Sequence, residues 1–597
     1  MTGGASPRSA YVARLAERRL RVAELDRASG RFAWLRLALG IATAALLWGI
    51  AAERGIPWAW IVAPILVFAA VARLHDRVLR GRTAADRGAR HYERALARLD
   101  GRWAGEGTRG EEYLDPDHPY AADLDLFGRG SLFELLCTAR TRDGERVLAE
   151  WLNVPAEPEQ VRMRQQAVDE LRDRIDLRED LAVSGEDVRA GVDTAALAAW
   201  AGAPARFEAL WPARVASTLA ALDLLALAAW LSGFTGPEWF VGAASIAGFF
   251  AWTVRPRIRA VLHSVGGPSA ELRLLAAVLD RLERERFTTP MLADLRSALD
   301  EAGAPPSRGI GRLARLSEWN DSRRNQIFLP LAGLVLLGTH LAFAIERWRQ
   351  LHGAGVTRWI AAVARMEALG SLAAYASEHP ADPFPEIVAA GPMFEAEGLG
   401  HPLVAEERCV RNDVRLGGEL RLLLVSGSNM SGKSTLLRSV GINAALGLAG
   451  APVRARRLVL SPLRTGACLR VQDSLQDGTS RFYAEILRLR SLVDLARGGA
   501  PLLFLLDEVL HGTNSHDRRI GAEGLIRGLL RQGAVGMVTT HDLALAKIAD
   551  DLGAAAANVH FEDRLEEGKI VFDYRLRPGV VEKSNALDLM RAVGLDV

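Results

Sequence analysis

The chain is 597 residues long, enough for several domains that each bury their own core. A formal net charge of +2 is too small to argue for nucleic acid by bulk electrostatics. The three scattered cysteines, Cys137, Cys409 and Cys468, exclude a disulfide framework and fit a reducing compartment, where each reads as a small buried hydrophobe. Hydrophobic residues make up 49% of the chain and mean hydropathy is slightly positive, so membrane segments must be sought.

Residues 1–31 are polar and rich in Arg, without the apolar core and cleavage site of a signal peptide. Two apolar runs follow, 37–52 (LALGIATAALLWGIAA) and 56–72 (IPWAWIVAPILVFAAVA), parted only by Glu53, Arg54 and Gly55. Together they predict a tight transmembrane hairpin. Trp48, Trp58 and Trp60 stand toward its tip, where an interfacial aromatic belt falls. Arg31 and Arg36 precede the pair, and Arg73, Arg77, Arg80 and Arg82 follow it. That bias puts both outer ends in the cytoplasm.

Residues 102–120, with their glycines and acids, read as a linker, and helical patterning starts at Leu124. A second apolar pair, 215–234 and 239–254, is joined by TGPE and followed by Arg255, Arg257 and Arg259, which predicts a second hairpin with its ends inside. Asp223 lies within it and is costly in lipid, so it should face another helix or lie near the interface. Leu272, Leu275, Leu279 and Leu282 recur at helical spacing and predict an amphipathic helix. The apolar run 327–345 is long enough to span but single. A fifth crossing would put the C-terminal third outside the cell, so this run is expected as a core or interface helix, with His340 a core histidine.

From His401 onward apolar strands at 420–425, 501–506 and 535–539 alternate with helices, the pattern of a doubly wound α/β sheet. The first strand runs into Gly427-x-x-x-x-Gly432-Lys433-Ser434 and a helix begins at once. That strand–loop–helix context makes this a phosphate-cradling P-loop, whose backbone N–H groups and helix N-terminus face phosphate oxygens. Lys433 would reach the β- and γ-phosphates and Ser434 would ligate Mg²⁺. The strand PLLFLLDE ends in Asp507, suited to the Mg²⁺ shell, and Glu508, suited to polarise the attacking water. VGMVTTHD ends another strand at His541, placed to sense the γ-phosphate. Between them, DGTSRFYAE sets Gly478, Thr479 and Ser480 ahead of a helix, as a phosphate-binding turn in cis or in trans, or as an ordinary capped helix start.

The series GSNMSGKSTLLRSVG, DGTSRFYAE, LLFLLDEVLHGTNSHD, TTHD and VFDYRLRPGVVEKSNALDLMRAVGL resembles the ATPase domain of the MutS family, with order and spacing matching from His401 to the C-terminus. More loosely, LLCTART at 135–141 and WLNVPAEPEQVRMRQQAVDEL resemble the family's helical core. The resemblance implies an α/β P-loop NTPase of the ABC-like kind at 401–597. It would follow a helical core and lever at 121–400 that carries the second hairpin, and an N-terminal region at 1–120 that carries the first. It implies a composite ATPase of two facing subunits using ATP and Mg²⁺. Gly427, Ser428, Asn429, Met430, Ser431, Gly432, Lys433, Ser434 and Thr435 match the nucleotide loop, and Asp507 and Glu508 the metal and water positions. Ser480 matches the serine that reaches the partner's nucleotide, His541 the switch histidine, and Gly512, Thr513 and Asp517 the dimer-interface loop.

The departures redirect the reading. Ser428 stands where the family has Pro after the first loop glycine, and the adenine-stacking aromatic would fall near Cys409. The first hairpin occupies the place of the mismatch-reading domain, and the Arg-rich stretches beside both hairpins are explained by membrane orientation and anionic lipid. The expectation is therefore a membrane-anchored, dimeric MutS-like ATPase of the inner cell membrane with its ATPase domain in the cytoplasm. It is coupled either to DNA binding of the repair type or to a nucleotide-driven membrane switch or scaffold that binds no DNA. An ABC transporter is disfavoured, because DGTSRFYAE stands where a Leu-Ser-Gly-Gly-Gln-like signature belongs.

Overall fold

The computed structural model of the protein describes residues 6–52, 58–184, 194–204, 211–264, 269–300, 305–322, 329–428, 430–470, 481–510, 513–541, 543–566 and 569–581. Two compact units emerge. One comprises residues 1–138, 148–183 and 369–597; the other comprises 139–147 and 184–368. These divisions differ from the segments drawn on the sequence, because they follow contacts and not changes of composition.

In the first unit the N-terminal helix Pro7–Ala51 is far longer than the apolar run that signalled it, and Val62–Leu99 follows. Ser6 caps the first helix, accepting the Ser9 N–H, with Pro7 in the first turn where its missing donor costs nothing. The pairing is antiparallel: Arg8 meets Asp100 at 3.0 Å, Arg19 meets Glu93 at 2.7 Å and Arg82 meets Asp26 at 2.6 Å, the numbers falling on one helix as they rise on the other. Tyr11, Leu15, Ala89, Tyr92 and Ala95 form the small buried core of its base. Buried Glu179, on the helix Ile175–Val183, takes Arg18 Nε at 2.6 Å and the Tyr92 hydroxyl at 2.7 Å. Burial, then the bond to Glu179, holds the Tyr92 phenol well above its usual range.

Toward the tip the character inverts. Trp34, Leu37, Ile41, Leu47, Trp48, Trp60, Ile65 and Leu66 are all exposed. Two helices are long and apolar enough to cross a membrane, Pro7–Ala51 and, in the second unit, Trp211–Leu231. Only 6% and 17% of their apolar windows are buried, so neither is the core helix of its unit. Their neighbours Val62–Leu99 and Pro237–Ser264 do not meet the same test.

In the second unit Trp211–Leu231 and Pro237–Ser264 form the second helical pair, with Trp230 stacked on Phe240 at 5.8 Å. Asp223 is 2% exposed, and its Oδ1 has no partner among the described residues. The apolar run 327–345 is not one helix: Leu329–Leu334 ends, Leu336 takes φ +48°, and a new helix Leu337–Glu378 begins. Leu336 is buried with Ala216 and Ala247, against both members of the pair. Leu272, Leu275, Leu279 and Leu282 line the buried face of Ser269–Glu283, as their spacing predicts. Residues 139–147 join this unit through Glu367, which accepts the backbone N–H groups of Arg140 and Thr141, both at 3.2 Å. Burial nonetheless pushes its carboxyl up to about 7.

The C-terminal part of the first unit is α/β. A four-stranded sheet is ordered β1-β5-β2-β3 (β1 Glu386–Ile387, β2 Met393–Leu399, β3 Asn412–Gly417, β5 Arg457–Leu460). The main sheet is ordered β10-β9-β4-β8-β7-β6 (β4 Leu422–Ser426, β6 Arg464–Cys468, β7 Leu502–Asp507, β8 Val535–Thr540, β9 Ala556–Glu566, β10 Lys569–Pro578). All its pairings are parallel except β9 with β10. Strands β4 and β8 are buried at every position, as expected where helices cover both faces of a parallel sheet. Burial pushes the Cys468 thiol at the end of β6 up to about 12, consistent with a core residue. The stretch read as a linker ends inside this domain: Ala467 N–H donates to Pro119 at 2.8 Å, and Asp123 accepts the N–H groups of Leu469 and Arg470, both at 2.8 Å.

Candidate functional site

Register brings the site together. Ser426 at the end of β4 pairs with Thr540 on β8, and Thr539 pairs with Asp507 at the end of β7. The carboxyl ends of the central strands therefore share one edge, where ligands bind in open α/β sheets.

Past Ser426 the chain turns through Gly427 at φ +150° and reaches Gly432 at φ +104°. Side chains rarely adopt these angles, and a Cβ at Gly427 would also stand 2.8 Å from Ser431 Oγ. The helix Lys433–Ala449 starts at once, with Gly432 as its N-cap, so the free N–H groups of its first turn face the loop. Lys433 is 5% exposed and its Nζ donates to the carbonyls of Gly427 at 2.6 Å and Ser428 at 3.1 Å. The same ammonium lies 3.3 Å from Glu508 Oε1, and His541 Nδ1 lies 3.5 Å from that oxygen. One carboxylate thus faces both the loop lysine and the histidine that ends β8.

Thr539 organises the acids. Its hydroxyl donates to Asp507 Oδ1 and accepts the Glu508 N–H at 3.0 Å. Glu508 sits at φ +48° and Leu510 at φ +63°, two non-glycine residues in the left-handed region within three positions. Such strain costs about 1–3 kcal/mol per residue and persists where neighbours over-determine it.

These groups open onto a cavity of about 660 Å³, lined among others by His401, Cys409, Lys433, Ser434, Asp507 and Tyr574. His401 is buried and its Nδ1 accepts the Leu403 N–H at 3.2 Å; burial, aided by Arg438, pulls its imidazole down to about 4, so it is neutral at pH 7. Cys409 lies where the family resemblance seeks an aromatic ring and offers none. Tyr574 supplies one from β10, where the register with β9 shifts between Phe572 and Leu576 and Tyr574 takes φ +53°. Asn412 fixes that bulge, donating to the Tyr574 carbonyl at 3.0 Å and accepting the Leu576 N–H at 2.8 Å. A Cβ at Gly432 would stand 3.2 Å from the Tyr574 ring.

Of the residues singled out on the sequence, Gly427, Ser428, Met430, Ser431, Gly432, Lys433, Ser434, Thr435, Asp507, Glu508 and His541 gather at this edge. Thr513 follows it, donating its N–H to Leu510 at 3.4 Å. Asp517 is exposed and engaged locally: Asn514 caps the helix Ser515–Arg531 by accepting the Asp517 N–H at 2.9 Å, and donates to its carboxylate at 2.7 Å. Asn429, Ser480 and Gly512 lie outside the described residues. Thr539, Tyr574 and His401 were not singled out as site residues. The doubled threonine before His541 was the one available signal for Thr539.

The cradle suits a polyphosphate with Mg²⁺. The Ser428 and Ser431 hydroxyls are buried with no partner among the described residues, a buried lysine points into the same space, and Ser434 and Asp507 are the hard oxygen ligands that ion takes.

Comparison with known proteins fits this geometry. Residues 423–596 match the family model of MutS domain V. Endonuclease MutS2 of Thermus thermophilus is 32% identical over 207 residues, covering 34% of this chain and 27% of that protein. The DNA mismatch repair protein MutS of Geobacillus thermodenitrificans is 31% identical over 212 residues, 34% of this chain and 23% of its own. The DNA mismatch repair protein MSH3 of Phaeosphaeria nodorum is 33% identical over 245 residues, 39% of this chain and 21% of its own. The matched region spans about a quarter of the length of these relatives. Residues 423–596 are thus similar to the ABC-like ATPase domain of the MutS family.

Proposed function

We propose that the protein is a membrane-anchored ATPase of the MutS type, binding and hydrolysing ATP with Mg²⁺ in a site completed by a second copy of the chain. The observation that carries this reading is the convergence of Lys433, Asp507 and Glu508 on one cavity at the carboxyl edge of the sheet, with His541 Nδ1 3.5 Å from Glu508. In this reading Lys433 exchanges its loop carbonyls for the β- and γ-phosphate oxygens, and the turn Ser428–Gly432 supplies N–H donors. Ser434 and Asp507 would hold Mg²⁺, which would supply neutralisation of the negative charge on the phosphates. Glu508 takes the proton of the attacking water, and His541 registers the γ-phosphate. The Tyr574 ring gives the base a stacking surface. Gly512, Thr513, Asp517 and Ser480 belong to the face that meets the second copy.

Membrane anchoring is supported by the long exposed apolar surfaces of the helices Pro7–Ala51 and Trp211–Leu231 and their neighbours, which water would oppose and lipid would cover. The first pair leaves the bilayer on the cytoplasmic side, where the ATP is. The relatives' names speak of mismatch repair and endonuclease action, and a coupling to DNA is the reading those names favour. A nucleotide-driven membrane switch that binds no DNA is the reading favoured by the exposed apolar surfaces.

The test is ATP turnover by the full chain in lipid nanodiscs. Lys433→Ala should abolish nucleotide binding, and Glu508→Gln should keep binding while slowing turnover at least ~100-fold. Unchanged turnover in Glu508→Gln removes the general base assigned here. Recovery of the protein in the salt-washed soluble fraction of cells refutes the anchor. Duplex DNA binding whose affinity falls with salt supports the repair-type reading, and its absence at low salt supports the switch.

A further inference from the structure

We infer that Glu485 is a positioning residue for ATP hydrolysis, holding the loop that carries Glu508 in its strained, catalytically competent form. This rests on the proposed role of Glu508. Glu485 lies on the helix Arg481–Arg497, is 5% exposed, and accepts the Leu510 N–H at Oε1 over 2.5 Å. Among the described residues Glu485 has no ion pair, and the Leu510 N–H is the one donor its buried side chain accepts. Burying a charge for one hydrogen bond is an expensive way to stabilise a fold, and an apolar side chain would pack at less cost.

Its location explains the expense. Leu510 and Glu508 both occupy the left-handed region. Left alone, the loop would relax by flipping one of these residues, and the Glu508 carboxylate would swing away from Lys433 and His541. Two clamps oppose that relaxation. Thr539 Oγ1 holds the Glu508 N–H at 3.0 Å and Glu485 holds the Leu510 N–H, one on each side of Val509. The Leu510 carbonyl is held as well, by Arg518 Nε at 3.2 Å. Glu485 comes from the helix Arg481–Arg497, so the position of that helix is written into the geometry of the catalytic carboxylate.

The test uses the full chain in nanodiscs and compares Glu485→Ala with Glu485→Gln, which keeps an acceptor oxygen. Glu485→Ala should lower kcat ~10- to 100-fold while KM for ATP stays within about threefold, because the P-loop is untouched. Glu485→Gln should return kcat to within about threefold of wild type. Glu485→Asp, one methylene too short, should reproduce the kcat loss if the alanine variant does not accumulate. A lowered Tm with unchanged kcat, equal impairment of Gln and Ala, or wild-type kcat in Asp overturns the inference. A wild-type chain that turns over no ATP instead overturns the ATPase reading itself, so the two failures are distinguishable.

Discussion

Thr539→Val isolates the second clamp with little change of shape. Thr539 is 1% exposed in the middle of the sheet, paired on one side with Asp507 and on the other with Val425. Valine keeps the volume and the strand propensity but deletes both hydroxyl bonds, the one donated to Asp507 Oδ1 and the one accepted from Glu508 N–H. A bond to a charged acceptor is worth about 1.5–3 kcal/mol, and a buried N–H left unpaired costs about 1–3 kcal/mol. The two share one atom and do not add fully, so the expected loss of stability is roughly 2–4 kcal/mol. The kinetic loss should exceed what stability alone conveys. With both acids released, kcat should fall ~10- to 100-fold, while KM for ATP, set by Lys433 and the loop, moves less than about threefold. Steady-state turnover and denaturant midpoints of Thr539→Val, with Thr539→Ser as the restoring control, measure both quantities. A valine variant with wild-type kcat and midpoint refutes the clamp, as does a serine variant no better than valine.

Two further outcomes test the frame and the electrostatics. Gly536 lies on β8 between β4 and β7, and a Cβ there would stand 2.2 Å from the Phe504 carbonyl oxygen and 2.5 Å from its ring. Since backbone must move, Gly536→Ala should destabilise by at least about 2 kcal/mol in denaturant unfolding, and a neutral result would show the sheet looser than drawn. His401 is pulled from 6.5 down to about 4 by burial, so the unfolded chain binds its proton first on acidification. Its contribution to stability is full above pH 6.5 and is lost as pH falls toward 4, by up to roughly 3 kcal/mol. His401→Gln should flatten the wild-type decline between pH 6.5 and 5, and parallel declines in the two proteins would refute the assignment.

What was legible in the sequence was what is local. The P-loop, the strand ending in Asp507 and Glu508, and the strand ending at His541 are each specified by consecutive residues, and the sheet joins them because each strand ends at the same edge. Tyr574, Thr539 and Glu485 were not legible in their roles. Each acts across the fold, Tyr574 through a bulge fixed by Asn412, Thr539 through strand register, and Glu485 through the packing of a helix against a loop. The N-terminal helix was underestimated for a related reason. Residues 7–36 show no clean apolar stripe, and their helix is held by ion pairs to Val62–Leu99 that become visible only once the two are aligned. The run 327–345 was misjudged in continuity because composition does not report a positive φ at a leucine.

The base of the first helical pair bears most directly on how a membrane anchor could matter to an ATPase. Arg98 near the end of Val62–Leu99 donates to buried Glu378 at 2.8 Å, and Glu378 is the last residue of the long helix Leu337–Glu378. Eight residues later β1 begins and the α/β domain starts. Arg18, Tyr92 and Glu179 tie the same base to the helix Ile175–Val183. Buried pairs of this kind contribute little net stability, but breaking one leaves an uncompensated charge, so they penalise every alternative placement of the base by several kcal/mol. The base is thus held in one register against the elements that lead into β1, within the same compact unit as Lys433 and Glu508. If the exposed apolar ends lie in lipid as proposed, the anchor is no tether on a flexible string. Its orientation is set by buried charge pairs only a few residues of chain away from β1, the strand that opens the α/β domain.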